Sequence, residues 1–142
     1  MTNTLTLHPI SIANGAGIAR DANDRPVFIP FTIPGETVEA RIVEEKAHFA
    51  RAELLSVQTP SPDRVAPRCP HFGVCGGCHF QHMDYAAQLA AKQQIVIDQL
   101  QRIGGITAVS ISPTLPHPSP WGYRAETELA PTPDGALGYW SP

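Results

Sequence analysis

A chain of 142 residues suffices for one ordinary domain or two very small ones. Its 42% hydrophobic and 16% charged residues are a globular composition, and no run of about 18 apolar residues is present to cross a bilayer, so no membrane partner is expected. The net charge of −3 excludes a strongly basic nucleic-acid binder: five basic residues face seven acidic ones up to Pro60, and no later segment forms a basic patch.

The first residues, Met1 to Ile10, lack the positive flank and continuous apolar stretch of a secretory signal, which leaves the reducing cytoplasm as the expected compartment. Short strands follow. Leu5, Leu7, Ile10 and Ile12 alternate with one phase slip at Pro9. Val27, Ile29, Phe31 and Ile33 hold one face, as do Val38, Ala40 and Ile42, and Ala50, Ala52 and Leu54 close the series. Turns are marked by Asn14-Gly15, Asn23-Asp24 and Pro34-Gly35. Four or five twisted strands in residues 1–58 predict a mainly β, OB-like barrel, the closure that leaves the fewest exposed edges. Asn14-Gly-Ala-Gly17 is a turn and not a dinucleotide loop, because the third glycine is missing and no helix opens after it.

From Thr59 to Pro70 four prolines forbid a continuous helix or a central strand and predict an extended linker. Beyond the cysteine-containing segment, Asp84 is placed to cap a helix of about twenty residues with an apolar stripe of Leu89, Val96, Leu100 and Ile103. Arg102 stands in its last turn and Gly104-Gly105 ends it. Val109 to Ile111 and Tyr123 to Leu129 are expected as strands, the second leading into a Pro-Asp-Gly turn. So short an apolar tail cannot bury a core of its own, so residues 106–142 are expected to be the truncated start of a further domain.

The chemistry concentrates in Pro67 to His82, PRCPHFGVCGGCHFQH. Cys69, Cys75 and Cys78 lie within ten residues, an odd number in a close group that suits a metal better than a disulfide framework. Thiolates two residues apart reach one metal or two corners of one cluster, and Cys69 supplies another corner. Gly76 and Gly77, lacking Cβ atoms, let the backbone wrap an inorganic core and aim amide N–H groups at sulfur. Spacing alone leaves two metals open. Zinc would be satisfied by these cysteines with His71, His79 or His82, whereas a four-cysteine [4Fe–4S] cluster needs a ligand from outside the chain. Phe80, Gln81 and His82 are candidates for contact with unpaired RNA bases, which planar and amide side chains read, although packing is the commoner role of such residues beside a metal loop.

Residues Pro67 to Gly105 resemble the iron–sulfur segment of the uracil-5 RNA methyltransferases, in particular the 23S ribosomal RNA type. The resemblance rests on the three cysteines, Gly76-Gly77, Gln81-His82, Tyr85, Gln88-Leu89, Lys92 and Leu100 to Gly104. Upstream, PVFIPFTIPGETVEARI and AHFARAELLSV are similar to the TRAM domain of that family, an OB-like RNA-binding barrel; downstream, WGYR resembles the start of the central domain and makes Arg124 a further RNA candidate. The resemblance implies three parts: a barrel in 1–58, a [4Fe–4S] loop and helix in 59–105, and the first strands of an α+β domain in 106–142.

It also implies methyl transfer from S-adenosylmethionine to C5 of a uridine, through a cysteine that adds to C6 and a carboxylate that removes the C5 proton. No catalytic residue and no S-adenosylmethionine site falls in this chain, so the fragment alone is expected to be inactive. Its expected partners are RNA, ribosomal by the resemblance, and the remainder of the methyltransferase chain, which would carry the fourth cysteine. Ala125-Glu126 departs from the more basic or amide residues of the family and weakens the RNA role of Arg124. The competing readings are a standalone RNA-binding module and a zinc-stapled interaction module without catalysis.

Overall fold

The computed structural model describes residues 4–108 and 110–141. The chain forms two compact units, Met1–Val65 and Ala66–Pro142.

In the first unit six strands, β1 (Thr4–Leu7), β2 (Ser11–Ala13), β3 (Ala16–Arg20), β4 (Pro26–Pro30), β5 (Thr37–Glu45) and β6 (Ala50–Thr59), form one sheet in the order β1-β5-β6-β4-β3-β2. All neighbours run antiparallel except β4 and β6, whose short parallel contact pairs Val27 with Ala50 and Phe28 with Arg51. Laid flat, the outer strands of such a sheet would stand about 24 Å apart at ~4.8 Å per step. Yet β1 and β2 are those outer strands, and the link from Leu7 to Ser11 reaches only about 14 Å. The sheet must therefore curl on itself. Register shifts at Thr37/Val38, Glu39/Ala40 and Ile42/Glu44 supply the local bends.

The barrel-like core is Leu7, Ala19, Val27, Ile29, Val38, Ala40, Ala50 and Ala52, drawn from one face of every strand except β2, as the alternation requires. The Asn14-Gly15 turn joins β2 to β3 as a two-residue hairpin with both residues at positive φ, 49° and 80°. Gly35, at φ 88°, takes the left-handed position after Pro34. At Pro9 the expected phase slip is a break between two strands: Pro9 is buried and Ile10 is 65% exposed, so Ile10 is not a core residue. Phe31 also leaves the predicted series, because β4 ends at Pro30 and Phe31 turns to φ 64°.

The start of the proline-rich segment folds back on the barrel. Glu36 is buried, and its carboxylate accepts hydrogen bonds from the N–H groups of Ile33 (2.9 Å) and Ser61 (3.2 Å) and from the Arg64 guanidinium (2.5 and 2.7 Å). Arg64 also donates to the Phe31 carbonyl at 2.8 Å. Burial pushes the Glu36 carboxyl up, but the Arg64 hydrogen bond, the two backbone N–H groups and the Arg64 charge outweigh it and hold the carboxyl below the usual glutamate range. The linker is thus fastened up to Arg64.

In the second unit, helix α1 (Tyr85–Asp98) is capped as expected: the Asp84 side chain accepts from the Ala87 N–H at 2.8 Å. It is shorter than predicted, because Gln99–Ile103 continue as a π-helical turn before Gly104 and Gly105, the latter at φ 66°. The predicted stripe is only partly covered: Leu89 and Leu100 are half-buried, whereas Val96 and Ile103 are 46% and 77% exposed, and the one buried residue of α1 is Ala91, outside that stripe. Of the two expected strands, Val109 lies outside the described residues, Ile111 is irregular, and Tyr123 to Leu129 form no strand. The pairing occurs later, between β7 (Ala130–Pro131) and β8 (Leu137–Gly138), around the Pro133-Asp134-Gly135 turn. Pro113, Pro116, Pro118 and Pro120 leave the stretch before Tyr123 little to pair with.

Candidate metal centre

The cysteine loop is a series of tight turns. Phe72 donates its N–H to the Cys69 carbonyl (3.2 Å), Cys75 to the His71 carbonyl (2.9 Å), and Gly76 to the Trp140 carbonyl (2.7 Å). Gln81 braces the first cysteine, its Oε1 accepting the Cys69 N–H at 3.1 Å. Cys69 and Cys75 are half-buried, Cys78 is exposed, and all three are free thiols.

The donor chemistry fits a thiophilic metal. All three donors are potential thiolates, and the Gly77 N–H lies 3.4 Å from Cys75 Sγ, an N–H to sulfur contact of the sort that stabilises ligated thiolate. Of the paired glycines, Gly76 is also required by space, whereas a side chain at Gly77 would make only ordinary contacts. A Cβ on Gly76 would stand 2.4 Å from the Trp140 carbonyl oxygen, and one on Gly77 3.4 Å from Cys75 Sγ. The side chains are not drawn into one ligand set: among the described residues no three His, Cys, Asp or Glu side chains gather as a metal site.

The RNA candidates near the loop sit inward. His82 is 1% exposed with its ring against Phe72 at 5.5 Å between centroids, Gln81 is committed to Cys69, and Phe80 is half-buried with its carbonyl accepting the Met83 N–H. Arg124 is exposed. Arg68, absent from the sequence-based candidates, stacks its guanidinium over Trp121 at 5.0 Å. Tyr85 Oη accepts the His117 N–H at 2.8 Å, and Gln93 donates to the Ile111 carbonyl at 2.9 Å, so the irregular segment is pinned to α1. Sequence reasoning also passed over Phe28, Phe49 and Arg51 on the outer face of the barrel, although strand alternation turns Phe28 away from Val27 and Ile29.

Residues 3–55 match the TRAM domain family. Over 115 residues the chain is 47% identical to the 23S rRNA (uracil(1939)-C(5))-methyltransferase of Azoarcus sp. strain BH72, a match covering 81% of this chain and 26% of that protein. Over 110 residues it is 46% identical to an uncharacterized RNA methyltransferase of Synechocystis sp., covering 78% of this chain and 24% of that protein. The crystal structure of the Pyrococcus abyssi tRNA (uracil-54, C5)-methyltransferase in complex with S-adenosyl-L-homocysteine matches with a TM-score of 0.56 and 29% identity, over 94% of this chain and 28% of that one. The first unit is therefore a TRAM domain. Over most of its length the chain is similar to RNA methyltransferases, among them uracil-C5 enzymes, and it spans about a quarter of the length of the curated relatives it matches.

Proposed function

We propose that this chain is the RNA-positioning and iron–sulfur part of an S-adenosylmethionine-dependent RNA uridine-C5 methyltransferase that acts on 23S ribosomal RNA in the cytoplasm. The observation that carries the proposal is the extent of the Azoarcus match: any stretch of 115 residues in a 142-residue chain includes Cys69, Cys75 and Cys78 together with most of the barrel. The S-adenosyl-L-homocysteine in the Pyrococcus structure supports the same cofactor chemistry for the longer protein. The catalytic cysteine, the base and the cofactor domain belong to the part of those relatives that this chain does not span.

Cys69, Cys75 and Cys78 would hold a [4Fe–4S] cluster, with the fourth ligand supplied from outside the chain. The hydrogen bond from Gly76 to the Trp140 carbonyl supports this arrangement, because it ties the far end of the second unit to the cysteine loop. The cluster would be structural, stapling the loop in front of α1; its ligation energy is then folding energy. Three thiols so close together would otherwise be unusually prone to oxidation.

Two measurements test the proposal. The protein prepared anaerobically should be brown, with iron and inorganic sulfide bound; a colourless protein holding one zinc would overturn the cluster. The 142-residue chain should transfer no methyl group from S-adenosylmethionine to uridine-containing RNA, whereas the longer protein should. Methyl transfer by the short chain would overturn the division of labour.

A further inference from the structure

The outer face of the barrel carries a cluster that the metal loop does not use. Val27 and Ile29 point into the core, so Phe28 between them points outward, and across the parallel contact its register partner is Arg51. Phe49 precedes Arg51 by two residues and packs edge-on against Phe28, with ring centroids 6.0 Å apart at 82°. The Arg51 guanidinium lies over the Phe49 ring, 5.8 Å from its centroid. On β3 the register partner of Phe28 is Ile18, which flanks the cluster.

Neither phenylalanine belongs to the hydrophobic core, and both are half-buried. The Arg51 side chain is 64% exposed. Two aromatic rings and a guanidinium plane held at a solvent-facing surface are the groups on which nucleobases stack.

The charges around the cluster decide what kind of nucleic acid it suits. Arg51 Nε pairs with Glu44 at 3.3 Å, Lys46 pairs with Glu44 at 3.1 Å, and Arg25 pairs with Asp21 at 2.9 Å and Glu45 at 3.1 Å. Each cation already has a carboxylate, so the surface holds little net charge with which to attract a phosphate backbone. A duplex, which presents mainly phosphate and sugar, gains little here. An unpaired base gains ring contact that costs no charge neutralisation.

We propose that Phe28, Phe49 and Arg51 form a stacking platform for an unpaired RNA base on the outer face of the TRAM domain. This rests on the RNA-binding role argued above and assigns it to residues of the barrel and not to the residues beside the cysteine loop. The platform holds the strand while the chemistry occurs elsewhere in the longer protein.

The test is fluorescence anisotropy of a short 5′-labelled oligouridine with the 142-residue chain, together with amide chemical-shift mapping of the complex. Loss of one stacked base weakens binding by about tenfold, so Phe49→Ala should reach that loss while Phe49→Trp binds at least as well as the parent. Arg51→Lys, which keeps the charge and loses the plane, should weaken binding several-fold. Because the cations are paired, the salt dependence should be shallow, with a slope of about one or less in log K against log salt. Shifts should centre on Phe28, Phe49 and Arg51.

Three results would overturn the platform: Phe49→Ala binding within about twofold of the parent with its fold intact by circular dichroism, equal affinity for duplex RNA, or shifts confined to residues 66–141. A chain that self-associates through Phe49 with unchanged RNA binding would also overturn it. Each of these leaves the methyltransferase assignment standing, since that depends on the cluster and on methyl transfer by the longer protein.

Discussion

Replacing Glu36 with glutamine isolates the clasp between the barrel and the linker, because volume is kept and charge is lost. In the parent, one carboxylate oxygen accepts from Ile33 N–H and Arg64 Nη2, the other from Ser61 N–H and Arg64 Nε. A glutamine turns one of these oxygens into an NH₂ group, so one buried backbone N–H and one guanidinium N–H face a donor. An unpaired buried N–H costs about 1–3 kcal/mol, and a lost hydrogen bond to a charged group about 1.5–3. Arg64 keeps 22% of its side-chain surface in water and can partly resolvate, which brings the expected loss to about 2–4 kcal/mol.

Because Glu36 has its carboxyl lowered on folding, its contribution is fully present above the ordinary glutamate pKa of about 4.3. It is lost as the pH falls through the lower folded-state value. The gap between parent and Glu36→Gln should therefore be full at neutral pH and close in acid. Residues 1–65 contain neither tryptophan nor tyrosine, so fluorescence is blind to this unit. Thermal unfolding should instead be followed through the Ile29 and Val27 methyl resonances, with a fall in Tm of about 10–25 °C at neutral pH. A fall corresponding to less than about 0.5 kcal/mol, or a gap that stays constant as acid is added, would refute the reasoning.

Gly17→Ala should destabilise the barrel by about 1–3 kcal/mol, read in the same melt, since its Cβ would stand 2.1 Å from Thr32 Oγ1, a buried hydroxyl held by the Ile29 carbonyl. Asp84→Ala should cost the second unit about 1 kcal/mol through the lost cap on Ala87 N–H, measured by far-ultraviolet circular dichroism, while Asp84→Asn keeps most of it. Cys75→Ser should abolish the brown colour and lower both the helical signal and its melting temperature; a variant with parental helicity and stability would show that no metal staples the loop.

Much of the barrel was legible because strand alternation is a local property. Val27 with Ile29, Val38 with Ala40, and Ala50 with Ala52 are read two residues at a time, and each pair is buried. Asn14-Gly15 and the Asp84 cap are local as well. What escaped is long-range. Glu36 and Arg64 are 28 residues apart, and nothing in either neighbourhood announces a buried ion pair. The phase of Ile10 was lost because a break at Pro9 and a slip within one strand leave the same pattern. The apolar period of α1 was correct for a helix, but periodicity does not say which part of the stripe finds a partner, and Val96 and Ile103 do not lie in the described core.

The cysteine loop divides in the same manner, and the division bears on what the metal does. Residue type and spacing specify the donors, yet gathering three thiols is a cooperative event that the loop's own hydrogen bonds do not enforce. Those bonds, from Phe72, Cys75, Gly76 and Cys69, fix backbone turns and leave the sulfurs half-buried or exposed. Helix α1 has little independent support: it is 14 residues long, near the limit at which isolated helices are marginal in water, and among its residues only Ala91 is buried. Its further ties run from Tyr85 and Gln93 to a segment without regular structure. A unit with so small an apolar core needs a staple, and the thiols at its head are the groups able to supply one. The proposed cluster would therefore act on this chain first as a folding element, and any influence on RNA would follow from the helix and loop that it held in place.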